Sequence, residues 1–264
     1  MPRAKRRLGQ HFLTDPRILG RIADAVGAGS DDTVLEIGPG PGGLTAQLAA
    51  RAGRVIAIEK DHDLVPALAE RVPGVTIVEG DALEADWHAL AGPRFLVAGN
   101  IPYNITSPLI DKALMPPPPE RIVFLVQKEV ADRVVAGAGE PDYGALSVGV
   151  QSVARADRLF TVPAGAFHPR PQVDSAVLRL EPVVDPLIEA GEQAGFRRLV
   201  VGLFGFRRKQ LGRGLRQLTG WPPDRVAATL EAAELRADAR PEVLAPAAFA
   251  ALHRALVDGG WTAR

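Results

Sequence analysis

The amino-acid sequence predicts an α/β fold in which a mostly parallel sheet carries helices on both faces, with a small helical domain after it. Three observations support this prediction. Short β-branched runs alternate with helical segments over the first half of the chain, which is typical of a doubly wound sheet. Two later strand-like runs have no convincing helix between them, and beyond residue 187 only helical patterns follow.

Several runs are almost continuously apolar and therefore predict buried strands of a parallel sheet. These runs are Thr33–Ile37, Val55–Glu59, Val75–Glu79, Phe95–Ala98 and Ile122–Val126. Helical composition between them is clearest at Leu44–Ala52 and Asp63–Arg71. The runs Leu159–Val162 and Ala176–Leu180 predict an antiparallel hairpin that closes one edge of the sheet.

The segment Glu181–Pro186 (EPVVDP) has the composition of a linker. It predicts two domains, covering residues 1–183 and 187–264. The second domain is expected to contain four helices, at Leu199–Phe206, Lys209–Leu218, Pro223–Leu235 and Pro246–Leu256.

Composition excludes several classes of site. The chain has no cysteine, so disulfides, thiolate nucleophiles and cysteine-ligated zinc are excluded. The 5 histidines show no metal-ligand spacing, and we expect no metal. No apolar run is long enough for a membrane span or a secretion signal, so we expect a cytoplasmic protein with no membrane association.

A glycine-rich loop follows the first predicted strand, in the sequence EIGPGPGG. Gly38, Gly40 and Gly43 match G-x-G-x-x-G, and Glu59 follows Gly38 by roughly 20 residues at the end of the next strand. This spacing suits an acidic side chain that binds both hydroxyls of a ribose. NAD and S-adenosylmethionine both carry such a ribose, and a turn used only for packing would show the same glycines.

Further residues favour S-adenosylmethionine over NAD. Glu36 precedes the first glycine by two positions, and prolines at 39 and 41 stiffen the loop. Asp81 ends the third strand, where it could accept a hydrogen bond from an adenine amine. This acidic series resembles the pattern of S-adenosylmethionine-dependent methyltransferases.

The fourth strand runs into Gly99-Asn100-Ile101-Pro102-Tyr103-Asn104. An adenine amine is a poor nucleophile because its lone pair is delocalised into the ring. The Asn100 side-chain oxygen and the Ile101 carbonyl could accept its two hydrogens and aim the lone pair at a methyl donor. Pro102 would fix the backbone, and the Tyr103 ring could stack on the base. An Asn-Pro turn that merely ends the strand is the alternative.

The segment Phe167-His168-Pro169-Arg170-Pro171 precedes the last predicted strand. Its two prolines hold the chain extended and could present Phe167 as the second wall of a clamp around the base. The alternative is that Phe167 is an ordinary buried aromatic residue.

Taken together, the motifs resemble the KsgA (RsmA) type of rRNA adenine dimethyltransferases over nearly the whole chain. The matching segments are LGQHFL (8–13), EIGPGPGGLT (36–45), GNIPYNITSP (99–108), LVQKEVADRVVAG (125–137), YGALSVGVQ (143–151), FHPRPQVDSAVLRL (167–180) and FRRKQLGRGL (206–215). The resemblance implies a Rossmann-like methyltransferase sheet. It also implies dimethylation of two adjacent adenosines in a hairpin loop near the 3′ end of 16S rRNA, during late assembly of the small subunit.

The resemblance further implies which residues contact S-adenosylmethionine. These residues are His11, Leu13, Gly38, Glu59, Asp81 and Asn100, with Gly40 in the same loop. Many relatives have Asn where this chain has His11, and either side chain can form hydrogen bonds. The segment around Phe12 would form an N-terminal lid over the cofactor.

Two basic clusters without acidic residues predict RNA contacts. They consist of Arg3, Lys5, Arg6 and Arg7 near the start, and of Arg207, Arg208, Lys209, Arg213 and Arg216 in the helical domain. On a helix from Lys209 to Leu218, a basic face would lie opposite an apolar one. A solvated charged face is the alternative; the RNA interpretation predicts salt-dependent phosphate contacts.

Two other functions share these motifs. An Erm-type enzyme would methylate large-subunit rRNA, although YGALSVGVQ and FRRKQLGRGL resemble KsgA instead. A non-catalytic nucleic-acid-binding factor on the same fold would have lost the chemistry, whereas Glu59, Asp81 and Asn100 are present. We therefore expect a monomeric enzyme whose partner is the rRNA of an immature small ribosomal subunit.

Overall fold

The computed structural model describes residues 4–5, 8–206 and 208–262. The chain divides into two compact units. The first contains residues up to 131 together with 156–182, and the second contains 132–155 together with 183–264.

Among the described residues of the first unit, strands assemble into a mixed sheet in the order β4-β3-β2-β5-β6-β9-β7. The strands are β2 (Thr33–Ile37), β3 (Arg54–Glu59), β4 (Thr76–Glu79), β5 (Leu96–Asn100), β6 (Arg121–Gln127), β7 (Ala154–Val162) and β9 (Ser175–Pro182). Strands β2 to β6 pair in parallel, and β9 runs antiparallel to β6. The predicted fold class, a mostly parallel sheet closed by later strands, is confirmed.

A second, two-stranded sheet joins distant parts of the chain. Strand β1 (Phe12–Leu13) pairs antiparallel with β8 (Phe167–His168). The Thr14 backbone N–H extends this pairing by donating to the Ala166 carbonyl at 3.0 Å. The N-terminal segment is thereby attached to the loop that precedes β9.

Helices alternate with the strands along the chain. Those that start before residue 155 are α1 (Pro16–Val26), α2 (Gly43–Ala49), α3 (Val65–Arg71), α4 (Trp87–Ala91), α5 (Thr106–Ala113), α6 (Lys128–Val135) and α7 (Ala145–Gln151). Helix α1 is well delimited, because the Asp15 side chain accepts from the first backbone N–H groups and Gly27 ends it in a left-handed conformation. Its apolar face packs on the sheet, where Ile22 and Val26 are fully buried with Val34 and Val123.

The second unit has its own apolar core. Its C-terminal helices are α8 (Gln193–Gly205), α9 (Leu211–Thr219), α10 (Pro223–Ala232) and α11 (Pro246–Asp258). Leu199, Leu203 and Phe249 are among the residues buried at its centre. The basic helix predicted from Lys209 starts at Leu211, so Lys209 precedes it.

The predicted division at residues 183–187 is incomplete. The second unit also takes in residues 132–155, which the sequence analysis assigned to the first domain. Tyr143 and Val148 are buried in the core of the second unit, and the Tyr143 hydroxyl donates to the Leu244 carbonyl at 2.7 Å. An internal segment thus contributes to a unit whose other residues follow much later in the chain.

Within the described ranges, none of the helices combines the length and apolar character that a bilayer crossing requires.

Candidate active site at the carboxyl ends of the parallel strands

A cavity of about 160 Å³ opens where the parallel strands of the first unit end. Ligands bind at this edge of doubly wound sheets, because the loops after neighbouring strands leave a crevice there. Its lining includes Gly38, Gly40, Glu59, Asp81, Asn100, Ile101, Pro102 and Tyr103, together with Leu8, Gly9, Gln10, His11 and Phe12. The structure therefore brings together most of the residues that the sequence analysis assigned to a cofactor and to an adenine.

The glycine-rich loop between β2 and α2 needs its glycines for conformation and for space. Gly38 and Gly40 have φ angles of 66° and 56°, a left-handed region that side chains disfavour. A Cβ atom on Gly40 would lie 3.1 Å from the Phe12 ring. The loop can therefore pack closely against the Phe12 ring because position 40 lacks a side chain.

Glu59, at the end of β3, is held by the backbone around it. Its carboxylate accepts from the Gly40 N–H at 3.0 Å and from the Asp61 N–H at 2.7 Å. Burial raises the pKa of Glu59, and these backbone hydrogen bonds oppose that rise. Since each carboxylate oxygen has more than one lone-pair direction, the fixed group can still accept from two ribose hydroxyls.

Asp81 follows β4 and is fixed in a similar way. One carboxylate oxygen accepts from the Leu83 N–H at 2.9 Å and the other from the Lys60 ammonium at 2.5 Å. The hydrogen bond from Lys60 is the main reason why the pKa of Asp81 is lowered. The carboxylate is therefore ionised and oriented at neutral pH.

Glu36 lies beneath the glycine-rich loop and is 1% exposed. Its Oε2 atom is buried without a hydrogen-bond partner among the described residues. Burial raises the pKa of Glu36 to about 8; the nearby Thr45 hydroxyl opposes this rise, and the Glu59 charge adds to it. A buried carboxyl oxygen without a partner is costly, so this region suits a ligand that brings a hydrogen-bond donor or a positive charge.

Leu13 lies at a smaller, neighbouring cavity of about 110 Å³ rather than at the main one. Glu36, Gly38, Gly40 and Asn100 line this smaller cavity as well. A nucleoside-bearing cofactor with an ammonium group fits this set of groups: the loop, the unpartnered Oε2 of Glu36, and the carboxylates of Glu59 and Asp81.

Asn100, the last residue of β5, has a defined side-chain orientation. Its Nδ2 donates to the His11 carbonyl at 2.8 Å, and a carbonyl can only accept, so the amide nitrogen must face His11. In the described part of the chain, the Asn100 Oδ1 atom has no hydrogen-bond partner. The next residue is also fixed, because the Ile101 N–H donates to the Leu125 carbonyl at 3.0 Å.

The Tyr103 side chain is held at its hydroxyl and at one face of its ring. Its hydroxyl shares a hydrogen bond of 2.9 Å with the Ser175 hydroxyl. The His11 ring stacks on it with centroids 5.6 Å apart and planes 23° apart. His11 is held in turn, because its Nδ1 lies 2.8 Å from the Pro169 carbonyl oxygen. The His11 ring thus lies over part of one face of Tyr103.

Phe167 does not line the cavity, and the prediction that it forms a second wall is wrong for this structure. Its side chain is 5% exposed and packs in the core with Leu13 and Leu19. The reason is the backbone register, since Phe167 lies opposite Leu13 in the β1–β8 pair. The alternative given by the sequence, a buried aromatic residue, is the one observed.

The predicted RNA-binding residues fall into three groups. Arg3, Arg6, Arg7 and Arg207 lie outside the described residues. The Lys5 ammonium is bound by Asp61 and Asp63. In the second unit, Arg208, Arg213 and Arg216 are exposed, whereas Lys209 is half-buried and donates to Gln217 at 2.6 Å.

The basic face of α9 lies opposite an apolar one, as predicted. Leu211 and Leu215 are fully buried, and Arg213 and Arg216 are exposed. RNA contact by these residues stays a prediction.

Several residues of the site were not predicted from the sequence. Gln10, Lys60 and Asn104 line the cavity, and Asp61 bonds to the N-terminal segment. Asp61 follows Glu59 by two positions, so its proximity to the cofactor carboxylate was a signal that could have been used. The partner Gln10 lies too far away in sequence for any local pattern to reveal it.

Comparison with known proteins shows which family this chain is similar to. The family model described as ribosomal RNA adenine dimethylase matches residues 1–241. The chain belongs to the ribosomal RNA adenine dimethylase family. The predicted resemblance is thereby confirmed, as are the enzyme class, an rRNA adenine dimethyltransferase, and its methyl donor, S-adenosylmethionine.

Individual relatives agree with this family. Proteins named ribosomal RNA small subunit methyltransferase A are 42% identical in Geobacter metallireducens, covering 97% of this chain and 96% of the relative, and 44% identical in Phenylobacterium zucineum, covering 99% and 89%. A dimethyladenosine transferase from Plasmodium falciparum has a TM-score of 0.84, with 27% identity and coverage of 95% and 98%. The 23S rRNA methyltransferase ErmE has a TM-score of 0.72, with 30% identity and coverage of 93% and 99%.

Proposed function

We propose that this enzyme dimethylates the exocyclic amines of two adjacent adenosines in a hairpin loop near the 3′ end of 16S rRNA, in late assembly of the small subunit. The observation that carries the chemistry is the Asn100 Oδ1 atom, which is fixed in direction but has no partner among the described residues. The choice of small-subunit rRNA is supported by the relatives named for that activity, which cover nearly the whole chain.

Two acceptors from consecutive residues activate the adenine amine. In the first methyl transfer the Asn100 Oδ1 and the Ile101 carbonyl each accept one amine hydrogen, which favours a pyramidal nitrogen with a directed lone pair. The methylated nitrogen carries a positive charge and loses one proton to solvent. In the second transfer the remaining N–H donates to one of the two oxygens. The backbone is rigid here, because Pro102 has a restricted φ and the Ile101 N–H is bonded to Leu125. Rate enhancement then comes from orientation and electrostatics rather than from a general base.

The cofactor binds through further residues of the two cavities and shares Asn100 with the adenine. S-adenosylmethionine, when bound, supplies a methyl group on a positively charged sulfur. Glu59 accepts from the ribose hydroxyls and Asp81 from the adenine amine, because both carboxylates are already oriented. Gly38 and Gly40 allow close approach of the backbone, and His11, Leu13 and Asn100 complete the site.

The target base stacks on Tyr103, whose ring is fixed through its hydroxyl. Because His11 stacks on that ring in this structure, the His11 side chain moves aside when the base enters. Phe167 could contact the base only after leaving the core in which it is buried.

Binding to RNA depends on exposed cations of the second unit. Arg208, Arg213 and Arg216 contact phosphates and supply salt-dependent affinity without base specificity. The enzyme acts as a monomer on an immature small subunit, and that substrate is the basis for expecting it in the cytoplasm.

The substrate is tested by offering labelled S-adenosylmethionine with immature small subunits, immature large subunits and naked 16S rRNA. We expect label in N6,N6-dimethyladenosine near the 3′ end of 16S rRNA. Label in large subunits alone would support the ErmE-like activity instead, and no label in any RNA would indicate a binding factor without catalysis.

The RNA-binding surface is tested separately by replacing Arg208, Arg213 and Arg216 with Gln. Each lost phosphate contact should reduce the slope of log affinity against log salt by roughly 0.7–0.9. Arg236→Gln is the control, because Arg236 is paired with Asp238 at 2.7 Å. An unchanged slope in the triple variant would remove these residues from the RNA-binding surface.

A further inference from the structure

Asp61 is a buried carboxylate that binds the N-terminal segment. It lies in the loop after β3, two residues beyond Glu59, and is 2% exposed. Its side chain accepts hydrogen bonds from the Lys5 ammonium and, at 2.9 Å, from the Gln10 amide. Both donors belong to the segment that precedes β1, so a single side chain anchors that segment at two points.

The described residues of the anchored segment also bond to one another. The Lys5 backbone N–H donates to the Gln10 side-chain oxygen at 2.7 Å, and the Leu8 N–H donates to the Lys5 carbonyl at 3.0 Å. Leu8, Gly9 and Gln10 are part of the lining of the main cavity. The contacts of Asp61 therefore hold one wall of the cavity in place.

The backbone of Asp61 contacts the Glu59 carboxylate. The Asp61 N–H donates to Glu59 Oε1 at 2.7 Å, which orients the carboxylate that we assign to the ribose. Asp61 thus connects the ribose carboxylate, through its backbone, with the N-terminal wall, through its side chain.

The charge of Asp61 matters for this connection. Burial by itself would favour the neutral acid, but the hydrogen bonds from Lys5 and Gln10 hold the pKa of the carboxyl below its usual value. A buried carboxylate that loses such donors is left poorly solvated. The ionised Asp61 side chain therefore favours the arrangement in which Lys5 and Gln10 donate to it.

A second anchor holds the chain further along, independently of Asp61. Strand β1 pairs with β8, and the His11 side chain bonds to Pro169. The His11 carbonyl, which orients the Asn100 amide, belongs to this second anchor. Loss of the Asp61 contacts should accordingly loosen residues 8–10 and leave Asn100 in position.

We propose that Asp61 is a positioning residue that latches the N-terminal segment over the bound cofactor and so slows its release. This proposal rests on the proposed function only in that the occupant of the cavity is S-adenosylmethionine or its product. Asp61 is not among the residues that line the main cavity. It acts through Gln10 and Glu59.

Asp61→Asn tests the proposal, with Asp63→Asn as a matched control. Asp63 also binds Lys5, but its side chain is 55% exposed and does not contact Gln10 or Glu59. In the Asp61 variant we expect S-adenosylhomocysteine to dissociate roughly tenfold faster, the effect of losing a hydrogen bond to a charged group. KM for S-adenosylmethionine should rise by a similar factor, whereas kcat at saturation stays within about twofold. The control should resemble the wild type.

A second measurement needs no cofactor. Amide hydrogen exchange in the ligand-free protein should become faster at residues 8–10 in Asp61→Asn, with the β5 amides unchanged. Gln10→Ala should reproduce the effect, and the double variant should add less than the sum of the two.

Wild-type dissociation and exchange in Asp61→Asn would overturn the latch, as would an equal effect of Asp63→Asn. A fall in kcat without a change in KM would also overturn it. Failure of the proposed RNA substrate would leave the exchange and dissociation results unaffected, so the two proposals can fail separately.

Discussion

The two halves of the cavity differ in how far they are prepared for a ligand. In the cofactor half, Glu59 and Asp81 are already fixed by backbone N–H groups and Lys60. In the adenine half, the Asn100 oxygen has no partner among the described residues, and the His11 ring lies over part of one face of Tyr103.

This difference separates a site that is built in advance from one that must adjust. Oriented carboxylates lose little freedom when a cofactor binds, which lowers the cost of association. In the proposed mechanism the base, by contrast, leaves the RNA stack and displaces the His11 ring, which costs free energy before any contact with Asn100 is made. Substitutions in the two halves should therefore affect different kinetic constants.

The largest effect is expected from Asn100→Ala in the adenine half. Removal of one of two oriented acceptors should lower kcat by roughly 10²–10³-fold, as for other preorganised hydrogen-bonding groups. The affinity for S-adenosylhomocysteine, measured by calorimetry, should change by only a few-fold. Asn104→Ala is the control, since Asn104 lines the same cavity but is not one of the two acceptors. Equal losses in both variants would refute the assigned role.

Glu36 differs from Glu59 and Asp81, because one of its carboxyl oxygens is buried without a hydrogen-bond partner among the described residues. Glu36→Gln tests what this burial costs. The folded pKa of about 8 exceeds the ordinary value of 4.5, so the folded state keeps a proton that the unfolded state loses between these pH values. The wild-type free energy of unfolding should therefore fall as pH rises from about 4.5 to 8.

Glutamine cannot ionise, so the variant should lack this contribution to the fall. Relative to the wild type, Glu36→Gln should gain up to a few kcal/mol across that window, at about 1.4 kcal/mol per unit of pKa shift. Denaturant unfolding at several pH values measures the difference. Parallel pH profiles for the two proteins would contradict the burial argument.

Glu59→Gln should weaken the cofactor half alone. The amide retains one acceptor oxygen and loses the negative charge, so the affinity for S-adenosylhomocysteine should fall roughly 10-fold or more. At saturating cofactor, kcat should stay close to the wild-type value. Glu79→Gln is the matched control, because Glu79 pairs with Glu59 in register but is exposed and outside the cavity lining. A large fall in kcat would mean that the two halves are not separable.

The smallest effect is expected from Tyr103→Phe, on the adenine side. Tyr103→Ala removes a stacking surface worth about 1–3 kcal/mol per base, and should raise KM for the RNA about tenfold. Tyr103→Phe keeps the ring and loses only the hydrogen bond to Ser175, so its KM should change less than threefold. Steady-state kinetics with RNA as the varied substrate distinguishes the two, and equal effects would show that stacking is not the role of the ring.

The cofactor half was predictable from the sequence because local rules place it. A parallel sheet brings its strand ends to one edge, so Gly38, Glu59, Asp81 and Asn100 had to meet once the strands were recognised. Helix α1 could also have been predicted, since Asp15 and Pro16 begin it and Gly27 ends it.

The remaining features depend on contacts between residues that are far apart in sequence. Phe167 is buried where β1 pairs with β8. Strands of two residues are too short to show a periodicity from which this pairing could be predicted. The incorporation of residues 132–155 into the helical unit depends likewise on where Tyr143 is buried. The stacking of His11 on Tyr103 is a third such contact.

The central claim is that two oxygens at the end of β5 hold the adenine amine. A crystal structure of the enzyme with S-adenosylhomocysteine and an adenosine-containing RNA tests it most directly. We expect the adenine N6 atom within about 3.2 Å of both the Asn100 Oδ1 and the Ile101 carbonyl oxygen, with the His11 ring displaced from Tyr103. An adenine bound in the cavity with its N6 atom directed away from both oxygens would contradict the claim.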